Sequence, residues 1–251
     1  MQEIFTYMFK DNMFTKKAAI LFLLLFIALA ICGIPPLLNS VSYAPTVEKV
    51  SLPYLHYLPS ISCFLDFAIY GYMMICIKAI IQQDLNIVLP FFNFKNSLIR
   101  GLKFFVVILI LTLLSVFIYS ILLFLLVPLK ALCVLPILKV LITIAVVIYV
   151  NALLWIFANE DKIFSLLAFR KATKLIKQNL RTYFSNLGLI FVINFISAFL
   201  SCGLMYILDS IFDNNYLIWI LSTLEGTILA GYMLFINSYL IAKSIKPETV
   251  V

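Results

Sequence analysis

The stretch NEDKIFSLLAFRKATKLIKQNLRTYF, from Asn159 to Phe184, is the longest interruption between the apolar segments of this chain. Arg170, Lys174, Lys177 and Arg181 recur at steps of four, three and four. On a helix they fall in one basic stripe beside an apolar face of Phe169, Ala172, Ile176 and Leu180. Such a two-sided segment is expected to lie on a membrane surface as an amphipathic helix, its cations against anionic lipid headgroups. Held there, it fixes the side of the membrane for every apolar block before and after it. It identifies no chemistry.

Outward from that stretch, the 251 residues are 65% hydrophobic and 12% charged, with a mean hydropathy of +1.14. A soluble domain is roughly 45–50% apolar and about 25% charged, so this is the composition of an integral membrane protein. The formal net charge is +7. The bases cluster between apolar blocks, where anionic headgroups are nearer partners than nucleic acid, which is not expected to bind. Cys32, Cys63, Cys76, Cys133 and Cys202 are scattered singly, with no CxxC pair or histidine cluster, and read as core residues rather than metal ligands. His56, the only histidine, sits beside Tyr54 and Tyr57 as an interfacial residue. No GxSxG, HExxH, P-loop or GxGxxG pattern occurs, so no catalytic residue, metal or cofactor is predicted. The first apolar block is too long for a signal-peptide core, and Gly33 is followed by Ile34, Pro35 and Pro36 rather than a cleavage site. The first span is expected to be retained.

A bilayer core about 30 Å thick needs roughly 20 apolar residues per helix. Six blocks of that size run approximately over 18–38, 54–81, 104–127, 137–158, 185–208 and 217–242. The expected fold is therefore an all-α integral membrane bundle of six transmembrane helices in one polytopic domain. Alternate loops divide the bases unequally. Of the 18 Lys and Arg residues, all but Lys49, Lys130 and Lys139 fall on one side. By the positive-inside rule this places both termini in the cytoplasm of a cell-membrane protein. Pro35, Pro36, Pro53, Pro128 and Pro136 are expected where helices stop, and Pro59 to kink the second span or mark a late start at Ser60.

Three segments on the basic side share a pattern, IFTYMFKDNMFTKKA from Ile4, LPFFNFKNSLIRGLKF from Leu89 and FSLLAFRKATKLIKQN from Phe164. In each an apolar run ends in an aromatic and a base: Phe9 and Lys10, Phe94 and Lys95, Phe169 and Arg170. One reading is three helical hairpins, each entered through a short interfacial helix on the cytoplasmic side. The other is that juxtamembrane segments are simply rich in Phe and Lys.

From the second span into the third the chain reads IYGYMMICIKAIIQQDLNIVLPFFNFKNSLIRGLKFF, with Gly71 and Tyr72, then Pro90, then Gly101. This resembles a prokaryotic multi-pass membrane family known as domain of unknown function 4013, in which a Gly-Tyr pair, a proline-containing inner loop and a glycine recur in that order. The later FSLLAFRKATKLIKQNLRTYF, with Tyr183, is similar to the family's second inner segment. The resemblance implies a six-span fold without an assigned activity, and it carries over no functional residue.

Polar residues at membrane depth are the remaining pointers. Asp66 falls within the second block, where a charged side chain costs about 2.5–3.5 kcal/mol on insertion scales, and Glu225 falls within the sixth. With the amides of Asn151 and Asn194 nearby in depth, Asp66, Asn194 and Glu225 are expected to form one buried polar cluster. It could be helix glue or the proton-coupled site of a carrier. Lys78, about three turns after Asp66, reads as an anchor that snorkels to headgroups. Ser222, Gly226 and Ala230 form a small-xxx-small stripe for close packing with another helix, a membrane-protein partner or a second copy. The leading reading is a non-enzymatic, membrane-organising or accessory protein. A carrier of small solutes or lipid through intramembrane carboxylates is the alternative, and an intramembrane enzyme, lacking a nucleophile and base, comes last.

Overall fold

The computed structural model describes residues 11, 13–41, 58–82, 89–126, 135–162, 165, 168–212 and 215–245. Among them are seven helices: α1 (Phe14–Val41), α2 (Leu58–Gln82), α3 (Phe94–Leu126), α4 (Leu135–Glu160), α5 (Phe169–Gln178), α6 (Leu180–Ile211) and α7 (Asn215–Lys243). All but α5 contain a segment long and apolar enough to cross a membrane. Helical backbone hydrogen bonds satisfy these segments' peptide groups internally, the condition for crossing hydrocarbon, and their near-continuous Leu, Ile, Val and Phe present an apolar surface to it.

Three boundaries differ from expectation. α3 begins at Phe94, ten residues before the apolar block, because Lys95, Arg100 and Lys103 end the hydropathy signal without ending the helix. Asn93 caps it: its side-chain oxygen accepts the Asn96 amide at 3.2 Å, and its carbonyl accepts the Ser97 amide at 2.9 Å. The second of the three similar segments thus runs straight into its span, while the third forms the separate α5. The first lies largely outside the described residues. α1 continues past Pro35 and Pro36 to Val41, since each proline removes only one ladder donor and membrane helices tolerate that loss. α2 starts at Leu58 with Pro59 in its first turn, where a missing N–H costs nothing.

α2 is the central helix, packed against α1, α3, α4 and α7. The packing is uneven along the bundle. At the end that carries most of the bases, hereafter the basic end, every residue from Ala152 to Ala158 is buried, and Trp155 donates its indole N–H to the Ala242 carbonyl at 3.2 Å. Phe14, Tyr72 and Phe235 join α1, α2 and α7 there through edge-on ring contacts of 5.4 and 6.3 Å. Toward the far end α3 and α6 turn large apolar side chains outward, among them Phe124 at 79% exposure and Phe191 at 71%. The bundle is thus densely packed at the basic end, while many large apolar side chains toward the far end are left exposed by the described residues.

Candidate functional site

The motif glycines meet where α2 crosses α3. A Cβ added to Gly71 would overlap the Ser97 carbonyl and lie 2.7 Å from the Gly101 amide nitrogen; one added to Gly101 would overlap the Phe67 carbonyl. Phe67 and Gly71 on one helix therefore face Gly101 and Ser97 on the other, backbone against backbone, as small residues permit in membranes. Ser97 is fully buried, and its hydroxyl has no partner among the described residues.

Next to Gly71, Tyr72 donates its hydroxyl to the Pro90 carbonyl at 2.8 Å, with Phe92 against its ring at 5.3 Å. The extended segment 89–93 is held from its other side by Asp11. That carboxylate accepts the Leu89 amide at 2.9 Å, the Met13 amide at 2.9 Å and the Lys17 ammonium at 2.7 Å. The pair is enclosed, with side-chain exposures of 5% for Asp11 and 4% for Lys17. Lys17 also stands 5.0 Å over the Phe91 ring. Burial pushes the Asp11 carboxyl up, but the bonds from Lys17, Met13 and Leu89 and the Lys17 charge outweigh it and hold it below the usual carboxylate range. Neither Asp11 nor Lys17 stands out in the sequence. Their only signal is a carboxylate six residues before a lysine at a helix entrance.

The same two helices, α2 and α3, and the residue that follows α4 form an open pocket of about 440 Å³ lined by Lys78, Arg100, Lys103, Gln82, Asn96 and Asp161. Arg100 is fixed to Asp161 at 2.6 Å. Asp161 has φ 58 and donates its amide to the Phe157 carbonyl at 2.8 Å, a left-handed helix cap usually given to glycine.

α5 buries Ala172, Leu175 and Ile176 and exposes Arg170, Lys174 and Lys177. Its apolar residues pack on the protein itself. Phe169 meets Tyr149 at 6.0 Å, Tyr149 and Thr173 share a hydrogen bond of 3.0 Å, and Lys171 pairs with Glu160. The expected apolar face needs one correction: Leu180 is 55% exposed, and Leu175 takes its place. The helix stops at Asn179 (φ −116°, ψ 23°) and α6 starts afresh, so Leu180 and Arg181 belong to a different helix from the rest of the stripe. Arg181 is exposed in the first turn of α6, and Tyr183 is buried with its hydroxyl on the Ile148 carbonyl.

The intramembrane polar residues are distributed among separate partners. Asn194 exchanges amide bonds with Asn237 at 3.3 and 3.4 Å, Glu225 accepts the Ser201 hydroxyl at 3.0 Å, and Asn186 donates to the Leu240 carbonyl at 3.3 Å. These are three rungs of one antiparallel α6–α7 seam. Asp66 is half-buried on α2, with no hydrogen bond or ion pair to a described residue. Asn151 spends its amide on the Val147 carbonyl of its own helix. In the Ser222, Gly226 and Ala230 stripe, Gly226 has Leu29 of α1 as its neighbour, 3.5 Å from where a Cβ would stand. The tight approach to α1 comes at Gly231, against the Phe22 ring. Among the described residues no group of three His, Cys, Asp or Glu could hold a metal.

The family described as "Protein of unknown function (DUF4013)" matches residues 55–207, more than half of the chain. The chain belongs to the DUF4013 family. No curated protein and no solved structure matches it. The DUF4013 match runs from the start of α2 into α6, so it contains the Gly71–Gly101 crossing, the Tyr72–Pro90 bond, the basic cavity and α5. Asp11, Lys17 of α1, and all of α7 lie outside it.

Proposed function

We propose that this DUF4013 protein is a non-enzymatic, membrane-organising or accessory protein of the cell membrane. Its basic end, with both termini, is cytoplasmic and gathers anionic lipid. The open far halves of α3 and α6 face lipid or a partner membrane protein. The observation that supports this most directly is the mounting of α5. An amphipathic helix clamped to α4 by Phe169, Thr173 and Lys171 holds Arg170, Lys174 and Lys177 outward without needing lipid to order it. Basic side chains at an anionic surface contribute about 1 kcal/mol each. Protein extracted with its surrounding lipid should therefore be enriched in anionic lipid. Replacing Arg170, Lys174, Lys177 and Arg181 together by Gln should lower that enrichment, and an unchanged lipid profile would remove this reading.

A carrier is favoured by one observation, the half-buried Asp66, which has no hydrogen bond or ion pair to a described residue. It calls for Asp66→Asn together with Glu225→Gln. A working carboxylate predicts unchanged or higher thermal stability with loss of the cellular phenotype. Glue predicts lower stability, because Glu225→Gln weakens the rung to Ser201.

A further inference from the structure

The cavity between α2 and α3 carries more charge than it neutralises. Lys78, Arg100 and Lys103 converge on it, half-buried, while among the described residues Asp161 is its one carboxylate. Asp161 occupies one edge of the Arg100 guanidinium, which leaves the remaining N–H donors of Arg100 open. Neither Lys78 nor Lys103 has a carboxylate partner among the described residues. Like charges confined in a partly desolvated space repel, and Gln82 and Asn96 on the same walls add neutral hydrogen-bonding groups. A left-handed backbone at a non-glycine residue costs of order 1–3 kcal/mol. At Asp161 that conformation is accompanied by a side chain that aims Arg100.

A second cavity lies farther along the same helix. Asn96, Arg100 and Lys103 continue through Leu111, Leu114 and Ile118 at steps of four, three, eight, three and four, one face of α3. The upper three, with Ile142, Ala145 and Val146 of α4, line a cleft of about 200 Å³ whose walls are almost entirely hydrocarbon. From Lys103 to Leu111 the helix rises about 12 Å, within the length of an acyl chain.

We propose that this face of α3 is a binding site for one anionic phospholipid, its phosphate among Lys78, Arg100 and Lys103 and an acyl chain along Leu111, Leu114 and Ile118. The site rests on the reading that the protein works at an anionic lipid surface, but its bases are not those of α5, which contributes only the Phe169 ring to the wall of the apolar cleft. A guanidinium offers two parallel N–H donors to phosphate oxygens, and the two ammonium groups supply point charges. The basic cavity alone would suit any phosphate. The apolar cleft in register above it selects the lipid as the source.

The test uses the full chain in neutral detergent, with dioleoyl phosphatidylglycerol or dioleoyl phosphatidylcholine added and bound lipid read by native mass spectrometry. Wild type should retain phosphatidylglycerol in preference to phosphatidylcholine, and millimolar inorganic phosphate should not displace it. Lys78→Gln with Lys103→Gln should weaken retention about thirtyfold, two surface charges at about fivefold each. Lys78→Arg with Lys103→Arg should restore it, with an unchanged melting temperature showing that the fold is intact. Leu114→Trp, which fills the cleft, should weaken the dioleoyl lipid and leave dihexanoyl phosphatidylglycerol unchanged. The Gln replacements on α5 should leave this tightly held lipid in place, so the two sites fail separately. Equal retention by wild type and the Lys78→Gln, Lys103→Gln variant would overturn the site. Full displacement by inorganic phosphate would overturn the lipid as its occupant.

Discussion

Gly71→Ala is expected to prevent this protein from accumulating in folded form, although it adds a single methyl group. The methyl would enter the space of the Ser97 carbonyl, and that carbonyl belongs to a helical backbone that cannot rotate away. Over-packing in a close-packed interior typically costs about 1–3 kcal/mol when side chains can adjust. Here α3 itself has to move, so a loss above that range is expected. Gly101→Ala should act alike, through the Phe67 carbonyl. Gly188 and Gly203 on α6 provide the control, because a Cβ at either has nothing within 4 Å. Alanine there should be neutral or slightly stabilising, as expected for replacing glycine inside a helix. The check is the yield of monodisperse protein and its melting temperature in one detergent across the four variants. If Gly71→Ala melts with Gly188→Ala, α2 and α3 do not cross at these residues.

What was legible in the sequence follows from how local each signal is. A span announces itself within about 20 residues, and all six were readable, with boundaries failing where charge and helix part company, as over Phe94 to Lys103, and where a helix runs on through proline, as at Pro35 and Pro36. The glycines of the crossing stood out through family resemblance, but their job depends on which helices are neighbours, and no residue pattern states that. The same limit applied to polar depth. Asn194 and Glu225 were placed at membrane depth, yet their partners Asn237 and Ser201 are ordinary residues of the adjacent helix, seen to matter only once α6 and α7 are antiparallel. The basic cavity was the least legible. Lys78 read alone as an anchor to headgroups, Arg100 and Lys103 only as two of the bases on one side, and it takes the α2–α3 crossing to bring them to one space.

Asp11 was legible only as one charge among many near the start of the chain, yet its replacement is the second large effect expected. Asp11→Ala strips a buried lysine of its counter-charge and leaves the Leu89 and Met13 amides without their acceptor. Breaking a buried ion pair from one side typically costs about 3–5 kcal/mol, because the surviving charge stays desolvated. Asp11→Asn with Lys17→Met removes both charges and keeps an acceptor oxygen, so it should recover much of that loss. The pH dependence has a definite sign. A carboxyl held below its unfolded value of about 3.9 contributes stability in full above that pH and loses it as pH falls through the lower folded value. Wild type should therefore lose melting temperature on acidification below about pH 4 more steeply than the double variant. Equal slopes would mean that Asp11 is not charged in the folded state. The consequence reaches the lipid site, because Asp11 holds segment 89–93 and Tyr72 holds the Pro90 carbonyl in it. That segment leads directly into the turn of α3 that carries Lys95 and Arg100. Releasing it should loosen the α2–α3 entrance, so Asp11→Ala is expected to weaken phosphatidylglycerol retention although Asp11 lines no part of the cavity. A variant that lost stability while holding lipid as tightly as wild type would separate the clip from the site.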